Sequence, residues 1–125
     1  MGFELMDKGQ AYTAFWNGFG LKAYDETSVP DNEPMPYITF EMIEDDFDHS
    51  VGLTASVFYR SSSWTGAVNK VKEIESLLGR GGVIRPYQSG AFWIKKANPW
   101  ARRSQDENDD SVRRIIMNIE VEFID

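Results

Sequence analysis

Cysteine is absent from this 125-residue chain, and histidine occurs once. The first absence excludes a disulfide framework, a thiolate zinc site and a cysteine nucleophile. The second leaves no two-histidine metal motif and little room for histidine acid–base chemistry. Long apolar runs are missing too. Stretches such as Ala91-Phe92-Trp93-Ile94 fall far short of the ~20 residues that cross a bilayer. The amino end carries Glu4 and Asp7 in place of a basic stretch and an apolar segment, so no signal peptide is expected. Met6 stands where a myristoylation motif starting at Gly2 needs Ser or Thr. Positive charge is scarce: 13 Lys+Arg against 20 Asp+Glu give a net charge of -7 and a pI near 4.7. Such a surface lacks the basic face that a general nucleic-acid binder uses to neutralise phosphates. The expectation is a soluble protein made inside the cell, with no membrane partner.

What is present suits one packed core. The chain is 42% hydrophobic and 14% aromatic, and its length is that of a single domain, residues 1–125. The charge is uneven. Residues 1–50 hold 11 acids and 2 bases, while residues 51–125 hold 9 acids and 11 bases. Two halves of unlike charge either interleave and average out or attract copies of the chain head-to-tail.

Residues 7–18 read as a helix with Ala11 and Phe15 on one face, stopped by Gly18 and Gly20. Residues 21–25 are a short strand, and residues 26–36, with Pro30, Pro34 and Pro36, are a loop. Residues 37–44 and 51–60 alternate with period two and make a hairpin. A second helix, capped by Ser62 or Ser63, carries Trp64, Ala67, Val68, Val71, Ile74 and Leu78 on one stripe and ends in Gly79-Arg80-Gly81-Gly82. Residues 83–85 and 90–96 are short strands, and residues 98–111 are a charged loop opened by Pro99. In the long strand 112–124, Ile115, Met117, Ile119, Val121 and Phe123 face one way. The fold class expected is α+β: a small antiparallel or mixed sheet with one long and one shorter helix packed on one face.

No constellation selects a reaction. Glu44-Asp45-Asp46-Phe47-Asp48-His49 is the densest group of oxygen ligands, but it lacks the spacing and the turn glycine of a calcium loop and reads as a solvated hairpin tip. Gly18-Phe19-Gly20 lacks the basic residue and partner strand of an RNA-recognition phrase. Gly79-Arg80-Gly81-Gly82 follows a helix, whereas phosphate cradles precede one. No catalytic, cofactor or metal residues are therefore expected, and no enzyme. Residues 98–114 stand out instead: Trp100 opens the segment, and Arg102-Arg103 and Arg113-Arg114 bracket four acids. Trp and Arg are the residue types enriched at interface hot spots. Four tryptophans exceed what one core of this size readily hides.

Three phrases carry a family resemblance: Val57-Phe-Tyr-Arg-Ser-Ser-Ser-Trp64; Gly90-Ala-Phe-Trp-Ile-Lys-Lys-Ala-Asn-Pro-Trp-Ala101 with Asp109-Asp-Ser-Val-Arg-Arg-Ile-Ile-Met-Asn-Ile-Glu-Val-Glu-Phe123; and Pro36-Tyr-Ile-Thr-Phe40. In order across residues 10–125, the chain resembles the tail terminator (tail completion, minor capsid) proteins of long-tailed phages and prophages of Gram-positive bacteria. The resemblance implies a hexameric ring that caps the tail tube, stops its growth and offers a face to the head–neck connector. Its partners would be copies of itself, the tail tube protein and the connector, with DNA passing through an acidic lumen without being gripped. The place implied is the virion tail or neck, and the host cytoplasm during assembly. Arg60, Trp100, Arg102, Arg103, Arg113 and Arg114 are the candidates for subunit or connector contacts. Residues 26–36 and 45–49 are expected to face other subunits, the tube or the connector. Rival readings are another neck or head-closure adaptor, or a small acidic module that inhibits a host protein.

Overall fold

A computed structural model describes residues 6–43 and 50–124. They form α1 (Lys8–Trp16), a short 3-10 turn (Asn17–Phe19), β1 (Lys22–Asp25), β2 (Tyr37–Phe40) and β3 (Val51–Arg60). Then follow α2 (Thr65–Leu78), β4 (Val83–Tyr87), β5 (Gly90–Gln105) and β6 (Val112–Ile124). The strands make one sheet in the order β1-β2-β3-β6-β5-β4. The β1–β2 pair is parallel and every other pair is antiparallel. No helix among the described residues is long and apolar enough to cross a membrane.

The expected architecture needs correcting. Strand accounts for 46% of the described residues, and the sheet curls into a six-stranded half-barrel served by two short helices. It is not a small sheet under one long and one short helix. The largest error lies in residues 98–111, expected as a charged loop. β5 runs through Pro99 to Gln105, and only residues 106–111 turn. The pairing of β5 with β6 breaks between Lys96 and Ala101 and then resumes with Ala101 opposite Met117. A bulge is where proline fits a strand, because no ladder donor is needed there. β6 offers partners on both sides of the bulge, so the sheet carries the charged sequence as strand.

Local chemistry explains most other boundaries. Asp7 Oδ1 accepts the Gln10 amide (2.8 Å) and Gln10 Oε1 accepts the Asp7 amide (3.2 Å), a reciprocal cap that starts α1. The serine cap expected for α2 is not formed. Trp64 holds the cap position without a side-chain bond, and Ser63 Oγ accepts the Thr65 amide in a local turn. The stripe itself is as expected: Ala67, Val71, Ile74 and Leu78 are buried, and Trp64 and Val68 pack against the core.

Both helices fill the concave side of the sheet, where Ile38, Phe40, Leu53, Val57, Phe92, Ile94, Ile115, Met117, Ile119, Val121 and Phe123 join one core with Tyr12, Phe15 and Trp16. α1 packs against both edge strands, β1 and β4, and so spans the mouth of the half-barrel. Asn17 shields the β1 edge: its Oδ1 accepts the Ala23 amide (3.0 Å) and its Nδ2 donates to the Ala23 carbonyl (3.3 Å). A covered edge does not recruit a stray strand.

Candidate interaction site at the open edge of the long hairpin

β4 is short and pairs only with Gly90–Ile94, from Tyr87 opposite Gly90 to Val83 opposite Ile94. Residues 95–105 of β5 therefore have β6 on one side and, among the described residues, no strand on the other. Such an edge exposes backbone donors and acceptors. Here it carries Trp100, Arg102 and Arg103. Arg102 lies opposite Ile116 and Arg103 opposite Ile115, so alternation sends them to opposite faces. Arg103 joins the concave side beside α2, and Arg102 the convex side.

A groove of about 250 Å³ runs between α2 and this edge, lined by Val68, Val71, Trp100, Ala101 and Ile115 together with the charged Lys72, Glu75, Arg102 and Arg103. Trp100 is half-buried, and its indole N–H has no acceptor among the described residues. An adjoining cleft of about 490 Å³ is built around Trp64. The Arg103 guanidinium carbon lies 4.8 Å from the Trp64 ring centre and that of Arg113 lies 5.5 Å away. Cation–π contacts of this kind hold a guanidinium in place without neutralising it, so it remains available to an anion.

The six predicted interface residues gather around this hairpin end, but they divide into two groups. Arg60 Nη1 donates to Asp109 Oδ2 (2.8 Å) and to Ser111 Oγ (2.7 Å). Arg113 donates to the Asp110 and Ser62 carbonyls. Arg114 Nε donates to Ser56 Oγ (3.2 Å) while its guanidinium lies 5.0 Å from the Phe58 ring centre. These three brace the turn against β3 and the sheet. Arg102 and Arg103 are exposed and have no carboxylate within ion-pair distance among the described residues. Of the four tryptophans, Trp16 is fully buried, while Trp64, Trp93 and Trp100 are each partly exposed. Residues 26–36 are mostly exposed, as expected for an outward loop. The acidic cluster 44–49 lies outside the described residues.

The charge pattern was in the sequence, but its placement was not. Residues 79–105 contain six Lys/Arg and no Asp/Glu, and residues 23–43 contain five Asp/Glu and no Lys/Arg. The strand order sets these two segments at opposite ends of the sheet. The convex side of the basic end also exposes apolar groups: Ile84 is 58% and Ile124 45% exposed, and the register brings Trp93 beside Ile84.

Within the hairpin turn, the Ser111 hydroxyl, the Arg60 guanidinium and the Ser111 amide all donate to Asp109 and hold its carboxyl well below the usual range. A depressed native value means that the turn's stabilisation is present above the ordinary carboxyl range and declines as pH falls through the native one. We expect the Asp109 carboxylate to remain ionised at pH 3, read by its carbonyl chemical shift. A midpoint near 4 would refute the arrangement. Replacing Asp109 with Asn should loosen the turn with little effect on global stability, because the pair is exposed.

No family model matches the chain, and no curated protein matches it. Among solved structures, a chain of the virion of a native gene transfer agent (GTA) particle resembles it with a TM-score of 0.56 and 18% sequence identity. The likeness covers 90% of this chain and 84% of that one. At that identity it is a likeness of fold.

Proposed function

We propose that this chain is a structural component of a phage-like virion, acting by assembly and not by catalysis. The observation that carries this reading is the likeness to a virion chain along nearly the whole of both proteins. A unit from a particle is a unit that binds neighbours, and this chain has an open, basic, tryptophan-bearing edge for that purpose. The finer role follows from the sequence phrases of the tail terminator family. In that role the chain forms a ring, a hexamer in the family's pattern, that caps the tail tube and joins it to the head connector. Copies of itself, the tube protein and the connector are its partners, and DNA passes without specific binding. The net charge of -7 supports this last point, since an acidic wall repels phosphates.

The test is composition and morphology of particles from the parent phage or prophage. The chain should be detected in purified virions by mass spectrometry, at the neck end by labelled electron microscopy. Particles made without it should show tails of uncontrolled length unattached to heads. Normal, joined particles lacking the chain would refute the role. Tails of normal length that fail only to join would favour the head-closure adaptor instead.

A further inference from the structure

We infer that a second copy of this chain docks head-to-tail on the open β5 edge, presenting its own acidic flank of β1, β2 and the 26–36 loop. This rests on the self-assembly proposed above and names its contact. Residues 79–105 hold six cations and no anion, of which Lys95 and Lys96 are already paired with Glu120 of β6 and Glu75 of α2, and residues 23–43 hold five anions and no cation. Because β1 and β4 are the two ends of one sheet, a single copy does not neutralise one flank with the other. The ion pairs among the described residues link neither flank to its opposite.

Each flank also keeps unsatisfied charge. Arg102 and Arg103 have no carboxylate partner, and the exposed side chains of Glu26 and Asp31 have no polar partner among the described residues. Matching potentials across an interface steer and orient association. Two different patches meeting make a heterologous contact, which closes into a ring or continues as a filament. An isologous dimer built on either flank alone would set like charge on like. The apolar parts match in kind as well. Trp100 lies half-buried in the basic edge, and Tyr24, Tyr37 and Phe58 form a ladder of rings on the acidic side, with centres 6.3 and 5.1 Å apart. Asn17 already occupies Ala23 on the β1 edge, so side chains make this contact and the sheet does not simply continue from copy to copy.

The test is sedimentation of the wild type and of two charge-reversed variants, Arg102→Glu/Arg103→Glu and Glu26→Arg/Asp31→Arg, singly and mixed, over protein concentration and salt. Wild type should associate at low salt and dissociate as salt rises. Each variant alone weakens one flank, from a net +6 to +2 in residues 79–105 or from -5 to -1 in residues 23–43, sets like charge on like at the altered positions, and should need roughly tenfold or more protein to associate. Mixed equally, they should recover assembly in alternating order, because each then offers the flank weakened in the other. Circular dichroism confirms folding, and Arg102→Gln/Arg103→Gln substitutes if the glutamates disturb Trp64. Variants that assemble singly like wild type overturn this contact and leave the ring standing. Folded variants whose mixture stays monomeric overturn the pairing of these two flanks. Wild type that stays monomeric at every concentration overturns the inference, and the particle-composition experiment then decides the virion role independently.

Discussion

Replacing Tyr12 with alanine is expected to remove about 3–5 kcal/mol of stability, a large share of what a domain of this size possesses. Tyr12 is fully buried and meets Phe40 and Phe92 with ring centres 5.5 Å away, Phe123 at 5.9 Å and Trp16 at 6.4 Å. It therefore joins α1 to β2, β5 and β6 at once. The cavity left by truncation would be lined by rigid rings that relax poorly. Because α1 packs against both edge strands, its loosening also exposes the sheet ends that the proposed contact would use. Tyr12→Phe separates packing from polarity. The hydroxyl has no hydrogen-bond partner among the described residues, and burial pushes the phenol's pKa up. Removing that hydroxyl leaves the packing intact and should be neutral or mildly stabilising. Urea unfolding of both variants checks the pair. A small loss in Tyr12→Ala, or a loss in Tyr12→Phe as large as in the alanine variant, would mean the ring is not the keystone described.

Gly82→Ala is expected to be the most damaging single change outside the core, at about 2–4 kcal/mol. The Gly82 backbone has φ 76, and a Cβ there would collide with the Ile94 carbonyl oxygen and lie 2.6 Å from Lys95 Cγ. The backbone of β5 is the obstacle, so no side-chain rotation relieves it. β4 would have to move from β5, disturbing the strand that holds α1 from the far side. Gly81→Ala is the matched control. Nothing lies within 4 Å of its Cβ position, and its effect should stay within about 0.5 kcal/mol. Thermal or chemical unfolding of the two variants reads the contrast directly, and equal effects would refute it.

The candidate site shows how far sequence reasoning reaches. Arginine and tryptophan singled out residues 98–114 because those residue types are enriched at interface hot spots. Their partners were not legible. Asp109 is 49 residues from Arg60, and nothing local separates that engaged arginine from the unpaired Arg102 and Arg103. Trp64 was legible as a packing residue. Its two flanking guanidiniums come from the far hairpin and required the fold.

By itself, the sequence determined the elements whose signals are local. The stripe of α2 with its Gly79 stop, the alternation of β3 and β6, and the proline loop before β2 all follow from backbone preference and the period of burial. Only the tertiary structure decided that β5 passes through Pro99, since a strand of charged residues gains its reason from the neighbour that pairs with it. The curl of the sheet, the parallel placing of β1 and the β3–β6 pairing are likewise agreements between distant segments. The chain lacks cysteine and long apolar runs and carries more acids than bases, unevenly spread. Strand order turned that uneven charge into two opposed flanks, because only pairing partners determine which strands become edges.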